Sequence, residues 1–399
     1  MYIDQIKQAK EKMRGIVLNT PLLYSSVFSS QSKNEVYMKC ENLQVTGAYK
    51  IRGAFNKINA ISEENKEKGV ICSSAGNHAQ GVAYAASLAK MHSTIVMPKT
   101  TPYLKVQATK DFGGNVVLAG SCYDDAYKHA QKIAKQEGAI FIHPFDDMDV
   151  IVGQGTVALE ILEEIPDIDI ILCPIGGGGL ISGIALYAKE INPNIRIIGV
   201  QAEGANAMQR SFREGKLQKL DSVNTMAEGI AVKKPGEVSF KIIQQYVDDI
   251  ITVSDSALVE CFLTLSEKHK LIAETSGVAA LAALKKLSVA KKKIAAIISG
   301  GNIDMLTISS LINSGLVSRG RLFCFCIEVP NIPGQLLRLS QILCDMGANV
   351  VNLEHNQFKA MNRFKNVAVE VTVETNGYEH IQKIKNNFEE NGYFIKQLY

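Results

Sequence analysis

Residues 174–183 read PIGGGGLISG. Four consecutive glycines, Gly176, Gly177, Gly178 and Gly179, stand here. In a regular element each would forfeit about 0.5–1 kcal/mol relative to alanine, so the run must serve a local geometry. The apolar stretch IDIILCPI before it predicts a buried strand. GLISGIALYAKEI after it predicts a helix that stops at the breaker formed by Asn192 and Pro193. A glycine turn between a buried strand and a helix start leaves backbone N–H groups free to surround an anion, commonly a phosphate.

Outward from that turn, residues 70–310 alternate strand-like and helix-like segments. VICSS is followed by NHAQGVAYAASLAK, STIVMP by PYLKVQATKDFG, and NVVLAG by YDDAYKHAQKIAKQEG. RIIGVQA with a helix, and KIAAIISGG, continue the series. This rhythm predicts an α/β fold with parallel sheet covered by helices on both faces. Ligands in such folds collect at the carboxyl ends of strands. The loops SSAGNH (73–78), GGGGL (176–180) and SGGN (299–302) all fall there, and we expect them to converge on one site. After residue 320 the order becomes βαββαβ: FCFCIEV, PGQLLRLSQILCDMGA, NVVNLEHNQF, KNVAVEVTVET, GYEHIQKIKNNFEENG and YFIKQL. That order in so short a span predicts a second, ferredoxin-like domain.

The phosphate has three candidate owners. A P-loop requires Lys and Ser or Thr after its last glycine, and neither follows Gly179 or Gly183. A dinucleotide GxGxxG fails because Ile181 or Ser182 occupies its last glycine position. Pyridoxal phosphate requires instead a lysine for its aldehyde. CENLQVTGAYKIRGAFNKI supplies Lys50, flanked by Tyr49 and Ile51, whereas most lysines here keep polar company. Burial would depress the pKa of that amine, as a nucleophile of this kind needs; a lysine snorkelling to water from a helix start is the plainer reading of the segment alone.

With these residues in view, residues 1–318 resemble the threonine dehydratases (threonine ammonia-lyases) of the tryptophan-synthase-β-like, fold type II pyridoxal-phosphate enzymes. The resemblance rests on ENLQVTGAYKIRGA, SSAGNHAQGVA, PIGGGGLISG and ISGGN as a set. Residues 323–399, with PNIPGQLLRLS after the first strand, resemble an ACT domain, as in the medium-length form of the enzyme. The implied organisation is a two-lobed catalytic domain over 1–318, with a smaller lobe of about 46–150 inserted in the larger, a linker at 319–322, and an ACT domain at 323–399.

By that resemblance Lys50 carries the cofactor, and Gly176, Gly177, Gly178, Gly179 and Leu180 donate N–H groups to its phosphate. Asn77 would bond the ring hydroxyl and Ser299 would face the pyridine nitrogen. A hydroxyl there leaves that nitrogen largely unprotonated, a weaker electron sink that suits prompt β-elimination. Lys50, displaced by the substrate amine, would take the α-proton. Threonine would give 2-oxobutanoate and ammonia, and serine pyruvate. The loop of Ser74, Ala75, Gly76, Asn77 and His78 opens a helix and can present N–H groups to the substrate carboxylate. Ser74 as a helix cap and His78 as an ordinary first-turn residue are the stronger readings of those two positions. Glu274, in IAETSG, reads either as a helix-start carboxylate or as a group behind the site. Glu203 matches a position where relatives hold a cation, but Gln209 replaces the acidic partner expected nearby, and no metal is expected. The remaining histidines lack metal-like pairing.

Composition sets the outer limits. The 399 residues carry a net charge of +3, which implies neither a nucleic-acid nor a membrane partner. No apolar run reaches the ~18 residues of a membrane span, and the start, MYIDQIKQAKEKMRG, reads as a charged helix rather than a signal peptide. The eight cysteines form no CxxC pair and read as free thiols of a cytoplasmic protein. A cysteine-synthase-like sibling would carry Thr where His78 follows Asn77. A serine racemase would carry serine where Ala75 stands. A serine dehydratase stays open, because one methyl group is worth only ~1–3 kcal/mol to a pocket. A non-catalytic amino-acid-binding regulator is the reading of a different class, and retention of Lys50, Asn77, the glycine run and Ser299 opposes it. The ACT resemblance implies a homo-oligomer, dimer or tetramer, with an amino-acid or nucleotide effector bound near NIPG (331–334).

Overall fold

The computed structural model describes residues 2–355 and 366–399. By internal contacts the chain forms two units, Met1–Asp304 and Met305–Tyr399. The first contains ten strands: β1 (Leu22–Tyr24), β2 (Glu35–Cys40), β3 (Val70–Ser73), β4 (Ser93–Met97), β5 (Asn115–Leu118), β6 (Ile140–Phe141), β7 (Ile170–Pro174), β8 (Arg196–Ala202), β9 (Asp249–Val253) and β10 (Lys293–Ile298). They build a six-stranded sheet in the order β1-β2-β10-β7-β8-β9 and a four-stranded sheet in the order β5-β4-β3-β6. Every pairing within both sheets is parallel except β1 with β2. The smaller sheet is thus drawn from a segment inserted between β2 and β7 of the larger. Strands β3, β4 and β7 are buried along their whole length, which is why they read as unbroken apolar runs rather than alternating ones.

One helix organises the reactive segments. Met148–Glu164 starts at Asp147, whose carboxylate accepts the N–H groups of Asp149 and Val150. Both of its sides are packed. A Cβ on Gly153 would lie 2.5 Å from the Arg52 carbonyl oxygen, and one on Gly183 would lie 2.2 Å from that of Ile151. Bare backbone at these crossings lets Met148–Glu164 approach both Lys50–Asn59, the helix that begins with the candidate lysine, and Gly179–Ile191, the helix that follows the glycine run. A buried charge cluster ties the same helices together. Arg52 bonds Glu41 (2.7 and 2.8 Å) and Glu160 (2.7 and 2.9 Å), and Lys39 reaches Glu160 at 2.6 Å. All four side chains are at most 5% exposed. Two cations face two carboxylates, which offsets the desolvation each would suffer alone.

The second unit begins with the helix Met305–Ser318 and continues as β11 (Leu322–Pro330), the helix Gln335–Asp345, β12 (Asn349–His355), β13 (Asn366–Glu374), the helix Tyr378–Glu390 and β14 (Ile395–Gln397). The sheet order β12-β13-β11-β14, wholly antiparallel, is that of a ferredoxin-like βαββαβ fold. Its core is one face of the sheet, with Phe323, Phe325, Ile327, Val329, Val367, Val369, Val371 and Val373 against Leu339, Leu343, Ile384 and Phe388. Residues 356–358 of the NVVNLEHNQF reading, and Lys365, lie outside the described residues.

Cys40, Cys72, Cys173, Cys261 and Cys324 are buried free thiols, whereas Cys122 and Cys344 are exposed. No helix among the described residues is long and apolar enough to cross a membrane.

Candidate active site

The three loops singled out above meet. Asn302, in the loop after β10, donates its Nδ2 to Asn77 Oδ1, after β3, at 2.8 Å. The same loop touches the lysine segment, since the Tyr49 N–H donates to the Ser299 carbonyl at 3.2 Å. Gly301 N–H donates to the Gly47 carbonyl at 2.8 Å. The glycine turn after β7 lies over Phe145, so that a Cβ on Gly177 would be 2.3 Å from the ring.

Lys50 opens its helix with no acceptor side chain capping it. Its Nζ donates to the Pro144 carbonyl at 2.8 Å and sits 5.1 Å from the centre of the Tyr49 ring. Burial lowers its pKa to about 8, against a partial restoring pull from the Glu274 charge. A neutral amine is therefore accessible close to physiological pH, which a nucleophile or general base requires.

The glycine turn is built to present donors. Gly178 holds φ +107°, a left-handed conformation that side chains resist, and Gly179 opens the helix. Among the described residues no acceptor takes the N–H of Gly176, Gly177, Gly178, Gly179 or Leu180. Gly177, Gly178, Gly179 and Leu180 are buried. Buried unpaired N–H groups are rare unless a ligand takes them. A cluster at a helix N-terminus fits a phosphate. The residues present thus fit pyridoxal phosphate, with an amine on one side and an anion cradle on the other.

Asn77 begins the helix Asn77–Leu88; its Nδ2 donates to Glu274 Oε1 at 2.9 Å. Glu274 does not start a helix, the next one running Ala279–Ala282, but stands beside Asn77. Burial raises its carboxyl pKa, opposed by hydrogen bonds from Ser276 and Asn77. Ser299 is buried, and its own N–H donates to the Gly277 carbonyl at 3.4 Å. The residue at the N-cap of Asn77–Leu88 is Gly76 rather than Ser74, whose hydroxyl accepts the Gly76 N–H at 3.3 Å. The N–H groups of Ala75, Asn77 and His78 have no acceptor among the described residues. The His78 ring turns inward, donating Nε2–H to the Ile142 carbonyl at 3.0 Å, and burial lowers its pKa to about 3, so it stays neutral. Glu203 pairs with Lys286 at 3.1 Å. No metal-holding cluster occurs among the described residues.

Sequence reasoning passed over Asn302 although it quoted SGGN, because an asparagine in a glycine loop reads first as a turn former. It also missed Asp146 in the plain stretch HPFDDMD. That carboxylate accepts the N–H groups of Glu237, Val238 and Ser239 at 2.9, 2.9 and 3.0 Å and anchors a helix beside the glycine turn.

Fold, lysine and anion cradle together define a pyridoxal-phosphate enzyme. Residues 13–300 match the pyridoxal-phosphate dependent enzyme family, and the chain belongs to it. It is 42% identical over 395 residues to an L-threonine ammonia-lyase of Thermotoga maritima, covering 99% of this chain and 98% of that one. Among solved structures, the processed threonine deaminase isoform 2 of Solanum lycopersicum superimposes with a TM-score of 0.75 at 37% identity, over 78% of this chain and 86% of that one. A maize serine racemase matches equally well, with a TM-score of 0.75 at 38% identity over 79% and 98%.

Proposed function

We propose that this chain is a threonine ammonia-lyase that eliminates water from L-threonine to release aminocrotonate, which tautomerises and takes up water again on hydrolysis to 2-oxobutanoate and ammonia, and that turns L-serine into pyruvate by the same route. The single observation that carries the reading is the likeness to the Thermotoga L-threonine ammonia-lyase, which extends through the C-terminal unit. The bound cofactor supplies the electron sink for the reaction. Lys50 holds it and, once free, accepts the α-proton, a task suited to an amine lowered to about 8. The glycine N–H groups hold the phosphate, Asn77 the ring oxygen, and Ser299 the ring nitrogen without protonating it. The free N–H groups of Ala75, Asn77 and His78 receive the substrate carboxylate. Ala75 offers a methyl where a racemase would need a proton donor, which favours elimination over inversion.

In this reading residues 323–399 are an ACT domain, the chain works in the cytoplasm as a homo-oligomer, and an amino-acid or nucleotide effector binds near NIPG (331–334). Strands β12 and β14 lie at the edges of their sheet, and exposed edges invite pairing with another copy. Steady-state kinetics with threonine and serine, with and without isoleucine, test the assignment. We expect turnover of threonine with kcat/KM at or above that for serine; a protein that binds the cofactor but turns over neither would favour the sensor reading. Removing residues 322–399 is expected to abolish the effector response while activity persists. Full effector sensitivity in the truncated enzyme would overturn the regulatory assignment.

A further inference from the structure

The direction of the hydrogen bonds around Asn77 follows from one fixed point. The Thr46 carbonyl can only accept, so Asn302 must turn its Nδ2 toward it, at 2.8 Å. The same Nδ2 meets Asn77 at 2.8 Å, so the atom facing it there must be the acceptor, Oδ1. Gln80 Oε1 lies beside the same Nδ2, at 3.3 Å. The Asn77 Nδ2 is thereby aimed the other way, to Glu274 Oε1 at 2.9 Å. Glu274 is held in turn by the Ser276 hydroxyl at 2.5 Å. One Nδ2 hydrogen of Asn77 remains without an acceptor among the described residues.

We propose that Asn302 and Glu274 are positioning residues that lock the amide of Asn77 in one of its two orientations, so that it presents N–H rather than carbonyl oxygen to the cofactor. An asparagine amide is nearly symmetric in shape, and a flip would exchange attraction for repulsion at an anionic oxygen without any change in packing. Asn302 also touches the lysine segment closely: a Cβ on Gly47 would fall 2.3 Å from Asn302 Oδ1. The lock therefore fixes the amide against the loop that carries Lys50.

The inference rests on the proposed role of Asn77, and the test separates the two. Holoprotein reconstituted with pyridoxal phosphate is prepared for wild type, Asn77→Ala, Asn302→Ala, Asn302→Asp and the doubles of Asn77→Ala with each. The readouts are the cofactor's visible absorption spectrum and its retention on dialysis. Asn302→Ala frees the amide and is expected to weaken retention about tenfold, the equivalent of 1.4 kcal/mol. Asn302→Asp keeps the shape but can only accept when ionised, so it forces the flip and is expected to be the worse of the two. Both should move the absorption as Asn77→Ala does, and neither should add to Asn77→Ala in the doubles. A carboxylate at position 302 also opposes the Thr46 carbonyl whatever Asn77 does, so the cycle of Asn77→Ala with Asn302→Ala carries the decision: a merely structural role predicts additive losses, which would overturn the proposal, and non-additive losses support it. If Asn77→Ala shifts the spectrum while both Asn302 variants match wild type, the lock falls and the role of Asn77 stands. If Asn77→Ala leaves the spectrum unchanged, the role of Asn77 falls and the lock with it.

Discussion

Replacing Arg52 by methionine removes the centre of the buried charge cluster while keeping most of the side-chain volume. Arg52 makes hydrogen bonds to both oxygens of Glu41 and both of Glu160, and others to Thr156 Oγ1 (3.1 Å) and the Leu18 carbonyl (3.2 Å). Lys39 would then face two buried carboxylates alone. Breaking a buried pair by deleting one partner costs about 3–5 kcal/mol, because the remaining charge is left uncompensated. At about 2 °C per kcal/mol for a unit of this size, Tm should fall by roughly 6–10 °C. The deficit also has a signature in pH. Burial pushes the Glu41 carboxyl up, but the Arg52 charge and hydrogen bonds bring it below the usual carboxylate range. In wild type this contribution is present above the ordinary value of about 4.3 and is lost as pH falls through the lowered one. Without Arg52 the burial effect dominates, Glu41 titrates above the ordinary range, and the variant regains part of its deficit by protonating it as pH drops toward about 5. Thermal and urea unfolding followed by circular dichroism at neutral pH and near pH 5 measure both effects. A loss under about 1 kcal/mol, or a deficit that does not narrow with acid, would refute the reasoning.

Reaction of cofactor-free protein with pyridoxal phosphate should accelerate with pH and level off around a midpoint of about 8, the value burial gives Lys50; a midpoint near the ~10.4 of free lysine would contradict a buried amine. Borohydride reduction followed by digestion should place the pyridoxyl group on the peptide containing Lys50, and on no other. Gly178→Ala should cost about 1–3 kcal/mol for a side chain at positive φ. It should also release cofactor on dialysis sooner than wild type, since its Cβ would lie 2.8 Å from Ser239 Cβ and distort the cradle.

The βαβ rhythm, the glycine turn and the meeting of three loops were all legible in the chain, because buried parallel strands and glycine runs leave strong local signatures. Strands β1, β2, β6 and β9 were not. LLY has only three residues, and EVYMKC carries Lys39, a charge that argues against burial until its partner Glu160, 121 positions away, is known. Asn302 and Asp146 were illegible for the same reason: each acts through a contact that only the fold creates; Glu274 was legible as one of two readings, and its contact with Asn77 decides between them. His78 shows the opposite case, a residue whose position in a motif suggested the substrate but whose ring is spent on the Ile142 carbonyl.

The insertion of the four-stranded sheet between β2 and β7 has a mechanical meaning. The backbone crosses from one sheet to the other through residues 41–69 and returns through residues 142–169. Lys50 sits on the outgoing crossing and Pro144, its acceptor, on the return. The two connections between the sheets therefore touch at the reactive amine, which helps tie the smaller sheet to the larger.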